Sequence, residues 1–264
     1  MSGDTAIELR AVTRRFAGKA KADYTAVKDI SLRVPTGTFM SIVGPSGCGK
    51  STVLNMAAGL LRPSEGEVEV FGELLSGINR KASYMFQQDA LLPWKTVLGN
   101  VRLGLDLRGS DAGKAEALAK TWLQRVGLDE FADSYPHQLS GGMRKRAAMA
   151  QSWIVDPDIL LMDEPFSALD IHTRKRMETE VLQLWSGSNK TVLFVTHDLE
   201  EAIALSDRVV VLSAGPDSRI VGEYEVNLPR PRNLMDIKLE PRFTELYGSI
   251  WRDLRGEVLK SYER

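Results

Sequence analysis

The sequence predicts an α/β domain in which a mostly parallel central sheet carries helices on its faces and a helical segment is inserted along the chain. Three observations predict it. A short β-rich run at residues 39–43 (FMSIV) ends at a glycine-rich turn and is followed by a helical pattern over residues 50–60. Three further short apolar runs, at 159–162, 192–195 and 209–212, read as strands buried on both faces, and helical patterns separate them. Residues 88–156 are poor in strand runs, and Ala115, Leu118, Ala119, Trp122 and Val126 form one apolar stripe at helical spacing.

The 264 residues hold one large α/β domain, with room for an inserted subdomain but not for a second such domain. An apolar fraction of 43% and a charged fraction of 26% are those of an ordinary globular protein. With a net charge of −1, nothing in the balance argues for a nucleic-acid or anionic-membrane partner. The single cysteine, Cys48, excludes an internal disulfide and fits a reducing compartment. The opening MSGDTAIE has no apolar run, so no secretory signal is expected. No stretch approaches the roughly 18 to 20 apolar residues of a membrane span. The uncharged residues 36–49 are broken by glycines and Pro45, so any work at a membrane would go through another subunit.

The first element with chemistry is the turn after the first strand run. Residues 44–52 read GPSGCGKST, a complete G-x-x-x-x-G-K-[ST] phosphate-binding loop in the strand–turn–helix setting that the motif requires. Its glycines let successive backbone N–H groups turn inward around phosphates at the positive end of the following helix. Gly44, Pro45, Ser46, Gly47, Cys48, Gly49, Lys50, Ser51 and Thr52 are therefore the expected nucleotide contacts. Lys50 would bridge the β- and γ-phosphates, and the Ser51 hydroxyl would ligate Mg²⁺.

The helical segment of residues 88–156 is read as an inserted subdomain, the alternative being more of the same α/β layer. Ser110 or Asp111 could cap its striped helix. Near its end, residues 139–143 read LSGGM, where Ser140 and the N–H groups of Gly141 and Gly142 would open a helix able to receive a γ-phosphate. The basic triplet Arg144, Lys145 and Arg146 that follows reads as a solvated helix face rather than a binding site.

Residues 159–164 read ILLMDE: an apolar strand with an acidic pair at its carboxyl end, where α/β folds place ligands. Asp163 would hold Mg²⁺ directly or through water, and Glu164 would act as general base on the attacking water.

The order GPSGCGKST, LSGGM, ILLMDE resembles the ATP-binding subunit of ABC transporters over nearly the whole chain. The resemblance implies a P-loop NTPase of the ABC ATPase type, with an antiparallel β part at the N-terminus. It implies ATP and Mg²⁺ as ligands, and a homodimer in which LSGGM of one copy completes the nucleotide site of the other. Gln87, in YMFQQDALLPW, resembles the glutamine that senses Mg²⁺ and the γ-phosphate; Gln88 is its neighbour, and the register of ALLPW favours Gln87. Residues 167–170 (SALD), ending at Asp170, resemble the loop that links the two sites across the dimer. His197, in LFVTHD, resembles the switch histidine at the γ-phosphate. An aromatic residue near the first strand is expected to stack on adenine; Phe16 is in the expected place and Tyr24 is the alternative. A core role for Phe16 is the competing reading.

ALLPW, YPHQLSGGM, DEPFSALD, VTHDLEEA and LPRPR together look most like the importer ATPases of the nitrate, sulfonate and taurine group. That implies integral membrane permease subunits as partners, a solute-binding protein indirectly, and a peripheral place on the cytoplasmic face of the inner membrane. Leu91, Leu92, Pro93 and Trp94 lie where family members receive a helix of the membrane subunit, although core burial explains their apolarity nearly as well. A soluble ABC ATPase not coupled to transport is the alternative.

On this reading residues 1–228 form the ATPase domain. The turn-rich LPRPRN at 228–233 ends the sheet, and residues 229–264 are an extension. Phe243, Leu246, Tyr247, Ile250, Trp251, Leu254 and Val258 lie on one face of a helix, packed on its own domain or, alternatively, docking a partner.

Overall fold

The computed structural model describes residues 5–17, 23–167 and 169–262. Two sheets organise it. Strands β1 (Thr5–Phe16) and β2 (Tyr24–Pro35) pair antiparallel, β3 is Phe39–Val43, and helix α1 is Lys50–Ala57. Strands β4 (Glu65–Val70) and β5 (Glu73–Leu74) complete a four-stranded antiparallel sheet of order β2-β1-β4-β5. Strand β6 (Ala82–Met85) then opens the second sheet, and helices α2 (Val97–Val101), α3 (Leu103–Leu107), α4 (Ala112–Arg125) and α5 (Gly141–Trp153) follow it.

The remainder alternates: β7 (Ile159–Asp163), α6 (Ile171–Trp185), β8 (Thr191–Val195), α7 (Leu199–Leu205), β9 (Arg208–Leu212), β10 (Ile220–Glu225) and α8 (Pro241–Tyr262). The six-stranded sheet has the order β10-β9-β3-β8-β7-β6. Every pairing in it is parallel except β10 on β9.

The strands near the middle of that sheet are buried on both faces, which explains their uninterrupted apolar runs. In β3, Met40 and Ile42 enter the core shared with α1 and the antiparallel sheet, and Phe39 and Val43 enter the core on the other side. Trp122, Leu123, Trp153 and Phe166 pack in that second core together with α6, α7 and α8. The antiparallel sheet buries Ile7, Leu9 and Val12 of β1 on its inner face and turns the ion-paired Glu8 and Arg10 outward.

Two stripe assignments need correction. On α4, Leu118 is exposed and Leu123 takes a buried place; Asp111 is the cap, accepting from the Lys114 N–H at 2.9 Å. On α8, Phe243, Leu246, Ile250 and Leu254 are buried against the molecule's own core, but Trp251 is exposed and stacks on Tyr247. On α4 the buried face is shifted toward Leu123 and on α8 it is narrower than the apolar run, because only side chains that meet a neighbouring element are covered.

The LPRPRN segment is fastened rather than merely stiff. Arg230 pairs with Asp207 at 2.7 Å, and the buried Arg232 donates to the carbonyls of Ala204 (3.1 Å) and Ser206 (2.7 Å) at the C-terminal end of α7. Burial lowers the Arg232 guanidinium to about 10, and the neighbouring Arg230 charge adds to this.

Candidate nucleotide site

β3 delivers the chain to Gly44, where a side chain could not fit: a Cβ would lie 2.7 Å from Cys48 Sγ and 3.0 Å from the Leu212 carbonyl oxygen. Gly49 closes the turn at φ 93° as the residue before α1, a backbone conformation that glycine adopts without strain. The Lys50 side chain is buried and folds back, donating to the carbonyls of Gly44 (2.9 Å) and Pro45 (3.1 Å). Cys48 is a buried free thiol, and burial raises its pKa.

Across the loop, β7 ends in the acidic pair. The Ser51 hydroxyl donates to Asp163 Oδ1 at 2.9 Å, and the Tyr84 hydroxyl on β6 donates to Oδ2 at 3.2 Å. Burial raises the Asp163 carboxyl, and those two hydrogen bonds pull it back down. The Tyr84 hydroxyl is pushed up, first by burial and then by the Asp163 charge.

Glu164 stands at φ 44°, an uncommon conformation for a residue with a side chain. Its N–H donates to the Val195 carbonyl at 2.8 Å, which ties it to the end of β8. Its Oε2 receives the Gln87 side-chain amide at 3.3 Å and meets His197 Nδ1 at 3.0 Å. Thus Lys50, Ser51, Gln87, Asp163, Glu164 and His197 gather at the carboxyl ends of β3, β6, β7 and β8, where open parallel sheets place ligands. Gln87 meets Glu164 rather than the Ser51–Asp163 pair.

Among the described residues no group of three or more His, Cys, Asp or Glu side chains could cage a metal. Ser51 and Asp163 supply hard oxygens side by side, and this suits Mg²⁺, which is usually held by one or two protein oxygens, several waters and substrate phosphates.

Ser140, Gly141, Gly142 and Asp170 lie elsewhere. Ser140 caps α5 by accepting from the Met143 N–H at 3.3 Å, and Asp170 caps α6 by accepting from the His172 and Thr173 N–H groups. With Leu169 and Thr173 they line a cleft of about 340 Å³. No hydrogen bond or ion pair among the described residues joins them to residues 44–52. Ala168, in the SALD loop, lies outside the described residues.

The basic triplet is not a solvated face. Lys145 is buried, donates to the Gln87 backbone carbonyl and pairs with Asp89 at 3.2 Å; Arg144 reaches Asp89 at 3.0 Å and the Leu139 carbonyl at 2.7 Å. Arg146 donates to the Val126 carbonyl at 2.7 Å. Lys145 therefore pins the segment bearing Gln87 to α5, and sequence reasoning missed it because a charged residue on a helix is ordinarily exposed. Tyr84 was missed as well. ASYM carries no clear alternation, and four residues are too few to fix a strand.

Phe16 and Tyr24 are opposed across β1 and β2, so their side chains share one face. Both are exposed, which removes the core reading for Phe16, and the Arg14 guanidinium lies 4.8 Å from the centre of the Phe16 ring. Of the apolar quartet after Gln87, Leu91 is buried and Trp94 is 71% exposed.

A family model described as ABC transporter matches residues 27–167. The chain is 46% identical, over 89% of its own length and 86% of the relative's, to an ABC transporter ATP-binding protein, MJ0412, of Methanocaldococcus jannaschii. It is 37% identical to the taurine import ATP-binding protein TauB of Jannaschia sp., covering 97% of each chain. It is 39% identical over 92% of its length to the bicarbonate transport ATP-binding protein CmpC of Synechococcus elongatus, of which it spans 37%. Among solved structures it resembles the dimeric post-hydrolysis ATP-binding cassette MJ0796 bound to ADP and Pi, with a TM-score of 0.76 and 32% identity, covering 84% of this chain and 100% of that one. On this fold, site geometry and sequence similarity, the chain belongs to the ABC transporter family, as an ATP-binding ATPase subunit.

Proposed function

We propose that the chain binds and hydrolyses ATP as a homodimer and thereby drives an importer for a small solute of the nitrate, sulfonate, taurine or bicarbonate kind. The observation that carries hydrolysis is the junction of Gln87, Glu164 and His197 beside Ser51 and Asp163. Residues 44–52 would cradle the phosphates, with Lys50 exchanging the Gly44 and Pro45 carbonyls for phosphate oxygens. Ser51 and Asp163 would hold Mg²⁺, and Gln87 would have to turn from Glu164, which it meets here, to join them; the ion would offset the negative charge of the phosphates. Glu164 would take the proton of the attacking water as its oxygen bonds the γ-phosphorus and the bond to ADP breaks. His197 would orient Glu164 and the γ-phosphate. Phe16, with Tyr24 beside it, would receive adenine.

The separate cleft at Ser140, Gly141, Gly142 and Asp170 supports a shared site. Those groups line a cleft that none of residues 44–52 lines, which suits a partner's nucleotide, and the resembling cassette is described as a dimer. In this scheme residues 1–228 act as the ATPase domain, with 88–156 moving as a subdomain against it and 229–264 as an extension. The exposed Trp94, seven positions after Gln87, suits a permease helix, and a relative named for taurine import favours import. The chain would then sit at the cytoplasmic face of a membrane, with a solute-binding protein upstream.

Glu164→Gln tests the chemistry. It is expected to bind ATP normally and to lose roughly 10²-fold or more of the hydrolysis rate, measured as phosphate release. Normal turnover would remove Glu164 from its role. Purification of the tagged chain from solubilised membranes tests the transport reading: a multi-span permease should co-purify, and an active ATPase with no membrane partner would favour the soluble alternative.

A further inference from the structure

Next to the hydrolysis residues, α6 and the turn after β8 share a partly buried polar network. Arg174, in the first turn of α6, donates to the Leu169 carbonyl at 3.2 Å, lies 3.4 Å from Asp198 Oδ2 and lies 3.6 Å from Glu201 Oε1. Leu169 belongs to the loop that carries Asp170, and Asp198 directly follows His197. Asp198 caps α7 by accepting from the Glu200 and Glu201 N–H groups. The Thr196 hydroxyl donates to Glu201 Oε2 at 2.7 Å and accepts from the Asp198 N–H at 3.0 Å. The residues on either side of His197 are thus both fixed to this network, while the histidine ring is left to meet Glu164.

The network is an expensive way to hold two elements together. Glu201 is 4% exposed and the neighbouring Glu178, paired with Lys175 at 2.7 Å, is fully buried. Apolar side chains of the same volume would often pack as well or better. Burial pushes the Glu201 carboxyl up to about 7, against the Thr196 hydrogen bond and the Arg174 charge. Among the described residues Arg174 Nε and Glu178 Oε1 are buried without hydrogen-bond partners, so there the network holds a spare donor and a spare acceptor. A guanidinium fork reaches acceptors on separate elements at fixed angles, which a lysine cannot do.

We propose that Arg174 is a positioning residue that holds His197 in register with the loop through Leu169 and Asp170, so that a second subunit docking on that loop sets the histidine of the first. This rests on the hydrolytic role proposed for His197 and on the shared-site dimer.

The test is a double-mutant cycle on the full chain, reading steady-state ATP hydrolysis with Mg²⁺. Arg174→Ala is expected to lower kcat about tenfold while KM for ATP stays within about twofold, because residues 44–52 are untouched. In a His197→Ala background the same change is expected to cost nothing further, since a residue acting through His197 has nothing left to position. Arg174→Lys is expected to recover only part of the rate. Glu201→Gln keeps an acceptor for Thr196 and removes the charge, so it is the milder second variant and is expected to lose less, again only when His197 is present. Melting temperatures establish that each variant is folded in the assay, and if Arg174→Ala is not, the Glu201→Gln pair decides. An unchanged kcat, or an equal fractional loss with and without His197, overturns the proposal. Normal turnover by His197→Ala alone would instead overturn the role of the histidine, and this inference with it.

Discussion

Burial of Glu201 raises its carboxyl from an ordinary 4.5 to about 7, and the direction of that shift fixes how stability follows pH. The folded state binds this proton more tightly than the unfolded chain does, so stability from the group is fully present below 4.5 and is lost as pH rises through about 7. Wild type should therefore lose on the order of 3 kcal/mol through this residue between roughly pH 4.5 and pH 7.5. Glu201→Gln should flatten that slope in urea titrations, and an unaltered slope would clear Glu201 of the effect. A site kept for function at such a cost is what a stability–activity compromise predicts. Gly49 carries the second prediction at this scale. Its φ is 93° and an added Cβ would lie 2.5 Å from Val27 Cγ1, so Gly49→Ala should destabilise by about 1–3 kcal/mol and abolish nucleotide binding, read by calorimetry.

At the scale of elements, α8 separates what a pattern says from what packing decides. Ile250 and Trp251 are neighbours, and both fit the apolar stripe. Ile250 is fully buried, whereas Trp251 is 41% exposed and covered on one side by Tyr247. Ile250→Ala is expected to cost about 2–5 kcal/mol in chemical denaturation. Trp251→Ala should cost under about 1 kcal/mol, because only a stacked, half-wet ring is lost. Equal losses would mean that the helix sits in a different rotation. The same element shows why the chain past residue 228 is not a loose tail: Glu257 accepts from the Ala214 N–H at 2.8 Å, and Tyr224 of β10 hydrogen-bonds Asp253.

For the whole molecule, the separation of two half-sites has a thermodynamic consequence. If the cleft at Ser140 and Asp170 must find the nucleotide of another copy, ATP is part of the interface, and association is linked to its concentration. Glu164→Gln should sediment as a monomer without nucleotide and as a dimer with ATP and Mg²⁺. Adding Ser140→Arg, at an exposed position, should abolish that dimer while lowering the melting temperature by only the few degrees that loss of its cap on α5 costs. A dimer that persists would separate oligomerisation from the shared site.

The sequence by itself determined the local patterns that contiguous residues carry. The phosphate loop, the acidic pair after a buried strand, the LSGGM helix start and the parallel sheet were legible because each is a local pattern set by backbone geometry and burial. The edge strand β10, half exposed along its length, left only a weak pattern of that kind. Tertiary structure alone decided which distant residues meet. Ser51 reaches Asp163 across 112 positions and Gln87 reaches Glu164 across 77, because sheet order sets β7 and β6 beyond β8 in the same layer as β3. It also decided the fates of Lys145, Arg174 and Arg232. A charged side chain reads as solvated until the fold surrounds it with carbonyls and carboxylates, and no local pattern encodes those partners.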